Sequence, residues 1–206
     1  MNVLLINGSP HKNGCTNAAL TEMAKVLNEA GIETTIFHIS SAPVGGCVGC
    51  GGCSKAGKCV FGGPVADVLP LVEKADGIVF GAPVHYATAA ASMLGFMHRL
   101  AISGGKYLRH KPAAVVTSAR RAGTTTALEA MEKVPQFFEM PLISSTYWPM
   151  VHGGKAEEVL SDEEGLQIMR NLGRNMAWML RCIEAGKAAG IAAPVAENDK
   201  RTNFIR

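Results

Sequence analysis

Four of the six cysteines fall in one short stretch, "CVGCGGCSKAGKC", as Cys47, Cys50, Cys53 and Cys59, while Cys15 and Cys182 stand alone. Secreted disulfide frameworks spread their cysteines along a small chain. A single tight group instead binds metal or does redox work. An iron–sulfur cluster takes four thiolates, and Gly49, Gly51 and Gly52 would let the backbone approach and donate to its sulfides. One tetrahedral zinc also accepts four sulfurs, although zinc loops usually bring two separated C-x2-C pairs. The third reading is a loop of free or disulfide-linked thiols that holds no metal. Spacing alone leaves the three open.

Three other stretches carry polar groups where apolar runs end. The first, "NGSPHKNGCTNAAL", ends in no Gly-Lys-Ser/Thr and contains no G-x-G-x-x-G, so it is neither a Walker loop nor a dinucleotide fingerprint. It offers the Ser9 and Thr16 hydroxyls, the Asn13 amide, a flexible Gly14 and the bare amides of the helix it opens, with His11 or Lys12 as positive charge. That set suits one terminal phosphate; the alternative is an ordinary strand-to-helix turn with a Ser/Thr cap. The second, "APVHYATAAASM", brings backbone at Pro83–Tyr86, an aromatic face at Tyr86, an imidazole edge at His85 and small residues from Ala87 to Ala91. Its alternative is a helix start capped by Thr88, with His85 in solvent. The third, "TSARRAGTTTALEAM", adds Ser118, Arg120, Arg121 and Gly123.

Alternation of strands and helices must position these loops. Apolar runs occur at "VLLIN" (3–7), "TTIFHI" (34–39), "GIVFGAP" (77–83), "AAVVTSA" (113–119) and "PLISST" (141–146). Most are continuous rather than alternating, as in parallel strands covered on both faces. Leu20, Met23, Leu27 and Ala30 mark a helix stopped by Gly31. The cysteine loop fills the first half of the second crossover, and helix is expected to resume near Pro70. Ser161 and Glu164 read as a capping box before a helix with Leu166, Met169, Leu172, Met176, Met179 and Ile183 on one face. The expected fold is α/β, a doubly wound five-stranded parallel sheet, with ligands beyond the carboxyl ends of its strands.

The 206 residues suit one such domain, and 48% hydrophobic with 18% charged residues is ordinary for a soluble globular chain. A net charge of +3, without basic runs interleaved with aromatics, argues against nucleic acid. No basic leader precedes "MNVLLING" and no apolar stretch approaches the roughly 20 residues of a membrane span, so a cytoplasmic protein without a membrane partner is expected.

Together the loops resemble those of the flavodoxin-like NAD(P)H-dependent FMN reductases and multimeric flavodoxins, from Asn2 to about Gly153 and including "SSTYWPMVHG". The cysteine spacing resembles the compact motif of iron–sulfur flavoproteins, members of the same superfamily. The resemblance implies a flavodoxin-like fold with FMN as cofactor and NAD(P)H as co-substrate. It places the FMN phosphate at Ser9, His11, Asn13, Gly14, Cys15 and Thr16, with Cys15 standing where Asn or Ser is commoner. It sets Pro83, Val84, His85, Tyr86 and Thr88 beside the isoalloxazine, with Ser118 from the third loop. It implies that Cys47, Cys50, Cys53 and Cys59 ligate a [4Fe–4S] cluster. The implied activity is electron transfer from a nicotinamide through FMN to a quinone, a nitro or azo compound, free flavin or a protein. A pure electron carrier and a metal-binding regulatory module are the competing classes. The flavodoxin-like carriers are usually strongly acidic by resemblance, whereas this chain has a pI near 8.5. The domain is expected to span 1–186 with a cysteine-rich insertion at 45–62. A tail at 187–206 is expected to pack on a partner subunit in a homodimer or homotetramer.

Overall fold

The computed structural model describes residues 1–200, Thr202 and Phe204. In chain order its elements are β1 (Asn2–Asn7), α1 (Cys15–Glu29), β2 (Glu33–His38), α2 (Cys53–Ala56), α3 (Pro64–Lys74), β3 (Gly77–His85), β4 (Thr88–Ala89), α4 (Ala91–Gly104), β5 (Ala113–Ala119), α5 (Thr124–Phe137), β6 (Met150–His152), α6 (Ala156–Val159) and α7 (Glu163–Ala188). Five strands run parallel in the order β2-β1-β3-β5-β6, and β4 folds back antiparallel on β3. The fold is the expected α/β, doubly wound and flavodoxin-like.

The continuous apolar runs follow from strand geometry, in which successive side chains point to opposite faces. Leu4 and Ile6 of β1 join Ile78 and Phe80 of β3 in one core beneath α3, α4 and α5, with Val68, Phe96 and Leu100. Val3 and Leu5 join Val79 and Val116 in the other, beneath α1 and α7, with Leu20, Met23, Met169, Leu172 and Met176. Both faces are buried, so both must be apolar. Gly31, at φ 76°, ends the first crossover helix as expected.

Four expectations need correction. The segment 141–146 is no regular strand. Leu142 makes one isolated bridge to Ala113, and the Asn175 side-chain amide and the Ser145 hydroxyl then tie the chain to α7. Pairing with β5 is regained only at Met150–His152, after Pro149. Helix α3 starts at Pro64, a favoured first-turn position, and Pro70 lies inside it on an exposed face, where the unpaired carbonyl one turn back can meet water. The cap of α7 is Asp162, whose carboxylate accepts from the Gly165 amide at 2.9 Å, rather than Ser161. Met169, Leu172 and Met176 face the core, but Leu166, Met179 and Ile183 are only half-buried, and Ile168, Gly173, Ala177 and Leu180 complete the face.

The expected tail at 187–206 begins within α7, and Arg201, Asn203, Ile205 and Arg206 lie outside the described residues. Among the described residues no helix is long and apolar enough to cross a membrane.

Candidate flavin and cysteine sites

Strand order reverses between β1 and β3, whose following connections leave on opposite sides and open a crevice at the carboxyl edge. The loop between β1 and α1 enters it. Asn7, fully buried at the end of β1, shapes this loop from both ends: its side-chain Oδ1 accepts from the Ser9 amide at 3.0 Å and its Nδ2 donates to the Lys12 carbonyl at 3.0 Å. The Ser9 hydroxyl accepts from the His11 amide at 3.1 Å, and the Ser9 carbonyl pairs with His38 Nε2 at 2.8 Å. Neither Asn7 nor His38 was among the candidates from sequence, although an Asn-Gly pair closing a strand was a usable signal for the first.

The N-terminus of α1 is open. Its cap, Gly14, supplies no side chain, and no acidic residue lies in the first turn. The first amides of a 15-residue helix are thereby left for an outside acceptor, with the helix dipole favouring an anion. A Cβ at Gly14 would stand 3.1 Å from the His11 Cβ, so the loop closes tightly there. His11 and Asn13 are exposed at the loop's rim.

Three candidate side chains point elsewhere. Thr16 and Ser118 are buried, and their hydroxyls meet at 2.8 Å, joining α1 to β5. The Cys15 thiol donates to the Gly153 carbonyl at 3.3 Å, linking the first loop to the chain beyond β6. Burial pushes this thiol's pKa up, with Glu158 and Glu157 adding to the effect, so Cys15 is a neutral link and leaves only its backbone near the crevice.

The opposite wall is the β3–β4 hairpin. Pro83 stands in register with Ser118, Val84 with Ala89, and His85 with Thr88. The two residues at the tip, Tyr86 and Ala87, have φ of 50° and 59°. This is the type I′ pattern that normally selects Asn-Gly, and each non-glycine residue held there costs roughly 1–2 kcal/mol. Tyr86 is wholly exposed and gains no packing in return. Strain at an exposed aromatic beside a crevice is characteristic of a binding site. Gly123, at φ 89°, lets the next loop approach: a Cβ there would stand 2.7 Å from the Ala87 Cα. Arg120 and Arg121 are exposed, and neither forms an ion pair among the described residues.

All four clustered cysteines line one cavity of about 170 Å³ against α4, with Arg99, Ile102 and Ser103. Helix α4 carries this loop along one side. The Ser92 hydroxyl accepts from the Val44 amide, Gly95 admits the backbone of Val44–Gly46, and Arg99 donates to Cys59 and to the Gly62 carbonyl. The Cys53 thiol faces the Ile102 carbonyl at 4.0 Å. From Ser92 to Ile102 the helix rises about 15 Å, so the cysteine cavity begins within a few turns of the hairpin that precedes α4. All four thiols are free, and among the described residues no three His, Cys, Asp or Glu side chains are close enough to hold one metal ion. The four thiols do suit a multi-iron group in donor type, placed around a cavity rather than against one another.

The family model described as NADPH-dependent FMN reductase matches residues 1–155. An iron–sulfur flavoprotein of Methanocaldococcus jannaschii is 29% identical over 192 residues, covering 89% of this chain and all of that one. Another, from Archaeoglobus fulgidus, is 35% identical over 100 residues, covering 48% of this chain and 46% of the relative. Among solved structures, RosB with the bound intermediate 8-demethyl-8-formylriboflavin-5′-phosphate superposes with a TM-score of 0.70 at 13% identity, covering 100% of this chain and 92% of that one. A WrbA-like flavodoxin of Agrobacterium tumefaciens gives 0.64 at 14% identity, covering 88% and 98%. At such identities these structures bear on the fold alone.

Proposed function

The chain belongs to the NADPH-dependent FMN reductase family, and on that premise we propose an FMN-dependent oxidoreductase. It takes electrons from NADH or NADPH and delivers them to a quinone, a nitro or azo compound, free flavin or a protein. The observation that carries this reading is an uncapped helix N-terminus facing a strained, exposed hairpin across the reversal of strand order.

In this reading the FMN phosphate is held by the first amides of α1, with Ser9, His11, Asn13 and Gly14 around it and the backbone of Cys15 and Thr16 beneath. Pro83, Val84, His85, Tyr86 and Thr88 border the ring, and Ser118 fixes the floor through Thr16. FMN, when bound, supplies the hydride and single-electron chemistry. The chain's own part is to bind and orient. The hairpin sets the depth of the ring, Tyr86 offers a face for stacking, and Arg120 and Arg121 give an anionic dinucleotide a cationic approach.

Cys47, Cys50, Cys53 and Cys59 are the residues that would hold a [4Fe–4S] cluster. One zinc would take the same four thiolates, each at about 2.3 Å. Exposed Tyr147, Trp148 and Trp178 supply apolar surface for a homodimer or homotetramer.

Protein purified and reconstituted without oxygen is expected to show flavin absorbance, oxidise NADH or NADPH, and contain about four irons and four sulfides per chain. Iron should be lost in Cys50→Ala. Failure to bind FMN refutes the enzyme assignment. One zinc per chain, or normal nicotinamide oxidation without iron, refutes the cluster and leaves a flavin reductase.

A further inference from the structure

We propose that Arg99 sets the reduction potential of the iron–sulfur cluster through Cys59, an inference that rests on the cluster reading above. Arg99 Nε and Nη2 both donate to Cys59 Sγ, at 3.4 and 3.2 Å, and Nη2 also donates to the Gly62 carbonyl at 2.8 Å. The side chain is half-buried, and no carboxylate pairs with it among the described residues. Its charge therefore has one polarisable partner, a sulfur.

Among the described residues the other cysteines lack such a partner. Cys47 accepts only from the Gly49 amide at 3.4 Å, and the Cys53 thiol faces a carbonyl. A neutral thiol is a weak acceptor, so a guanidinium fork aimed at one contributes little. The same fork on a thiolate ligand is a charge-assisted pair. Pinning the loop would need only the bond to Gly62. Two further donors on Cys59 act on the sulfur.

The affected step is [4Fe–4S]2+ + e− → [4Fe–4S]+. No bond is made or broken and no proton moves. The proposed activity supplies the electron from flavin reduced by the nicotinamide. The added negative charge is shared with the thiolates, so a cationic donor on one sulfur favours the reduced form and raises the potential. Arg99 lies on α4, the helix that starts directly after the flavin-facing hairpin, so the residue biases the cluster towards accepting that electron. It is a positioning and tuning residue, touching the cluster only through its ligand.

The test compares full-length parent, Arg99→Gln and Arg99→Lys after anaerobic reconstitution. Iron and sulfide are assayed first. Potentials are then measured by dithionite titration with redox mediators, followed by electron paramagnetic resonance for the cluster and visible absorbance for FMN. Arg99→Gln is expected to retain iron and to make cluster reduction about tenfold less favourable, about 59 mV more negative for one electron. Arg99→Lys, which keeps the charge and loses the fork, should shift less, and the FMN couple should not move. An iron-loaded Arg99→Gln protein at the parent potential overturns the proposal while leaving the cluster reading intact. Loss of iron from Arg99→Gln, with Arg99→Lys loaded at the parent potential, also overturns it and makes Arg99 an anchor. A parent chain without iron overturns the cluster reading and this inference together.

Discussion

Thr16→Val, Ser118→Ala and the double variant distinguish two roles for the Thr16 hydroxyl. That hydroxyl meets Ser118 Oγ at 2.8 Å, and both residues are at most 2% exposed. Either single substitution leaves one hydroxyl buried without a partner, a cost of about 1–3 kcal/mol. Removing both leaves nothing unsatisfied, so the double variant should lose far less than the sum, with a coupling of about 1–3 kcal/mol. With a urea m-value of about 3 kcal/mol/M, a 2 kcal/mol loss lowers the midpoint by about 0.7 M. The assay is urea unfolding of FMN-free protein beside a fluorescence titration with FMN. Thr16→Val should lower the midpoint and change FMN affinity by less than about threefold, since a bond from a neutral donor to a phosphate would carry about 1.5–3 kcal/mol. An unchanged midpoint with FMN affinity down tenfold or more would refute this, and would return the hydroxyl to the phosphate.

Three further outcomes are expected. Gly123→Ala must hold φ 89° with a Cβ 2.7 Å from the Ala87 Cα, so it should cost more than the roughly 1–2 kcal/mol of the backbone alone and weaken FMN in parallel; destabilised protein with parent affinity would detach the hairpin from the flavin. For Glu22, burial pushes the carboxyl up, but the Arg170 and Lys25 hydrogen bonds outweigh it and hold the net pKa below the usual value. Its contribution is complete above the ordinary carboxylate pKa and is lost as pH falls through the lower folded value. The stability gap between parent and Glu22→Gln should therefore close in acid, and a constant gap from about pH 7 to pH 3 would refute the assignment. Cys15, raised chiefly by burial, should make the folded state less stable as pH rises from the ordinary thiol pKa through the raised one. Cys15→Ser should flatten that decline. In cluster-free protein iodoacetamide should label the exposed Cys47, Cys50 and Cys182 before the half-buried Cys15, and equal rates would contradict that burial.

Local chemistry made much of this protein legible without coordinates. The central strands β1, β3 and β5, buried on both faces, read as continuous apolar runs, and with the half-buried edge run at 34–39 four of the five parallel strands were placed within a residue or two. Gly31, at φ 76°, followed α1 because glycine readily takes the left-handed conformation that commonly ends a helix. The cysteine spacing marked one loop because four thiols so close in sequence must share a small volume. The long-range choices were different. Pro141 and Pro149 flank an edge segment whose pairing depends on what α7 offers Ser144 and Ser145, and no local pattern reports that. The hairpin tip at Tyr86–Ala87 carries no Asn or Gly, because its strained turn is set by tertiary contacts such as the close approach of Gly123. Sequence put Thr16 and Ser118 in different loops as separate candidates. Only the packing of α1 over Gly81 and β5 brings them together, because a hydrogen bond between residues 102 positions apart depends on the register of two elements rather than on either one. Arg99 is the same case, one of several polar residues on a largely apolar helix until the fold lays Cys59 against its guanidinium.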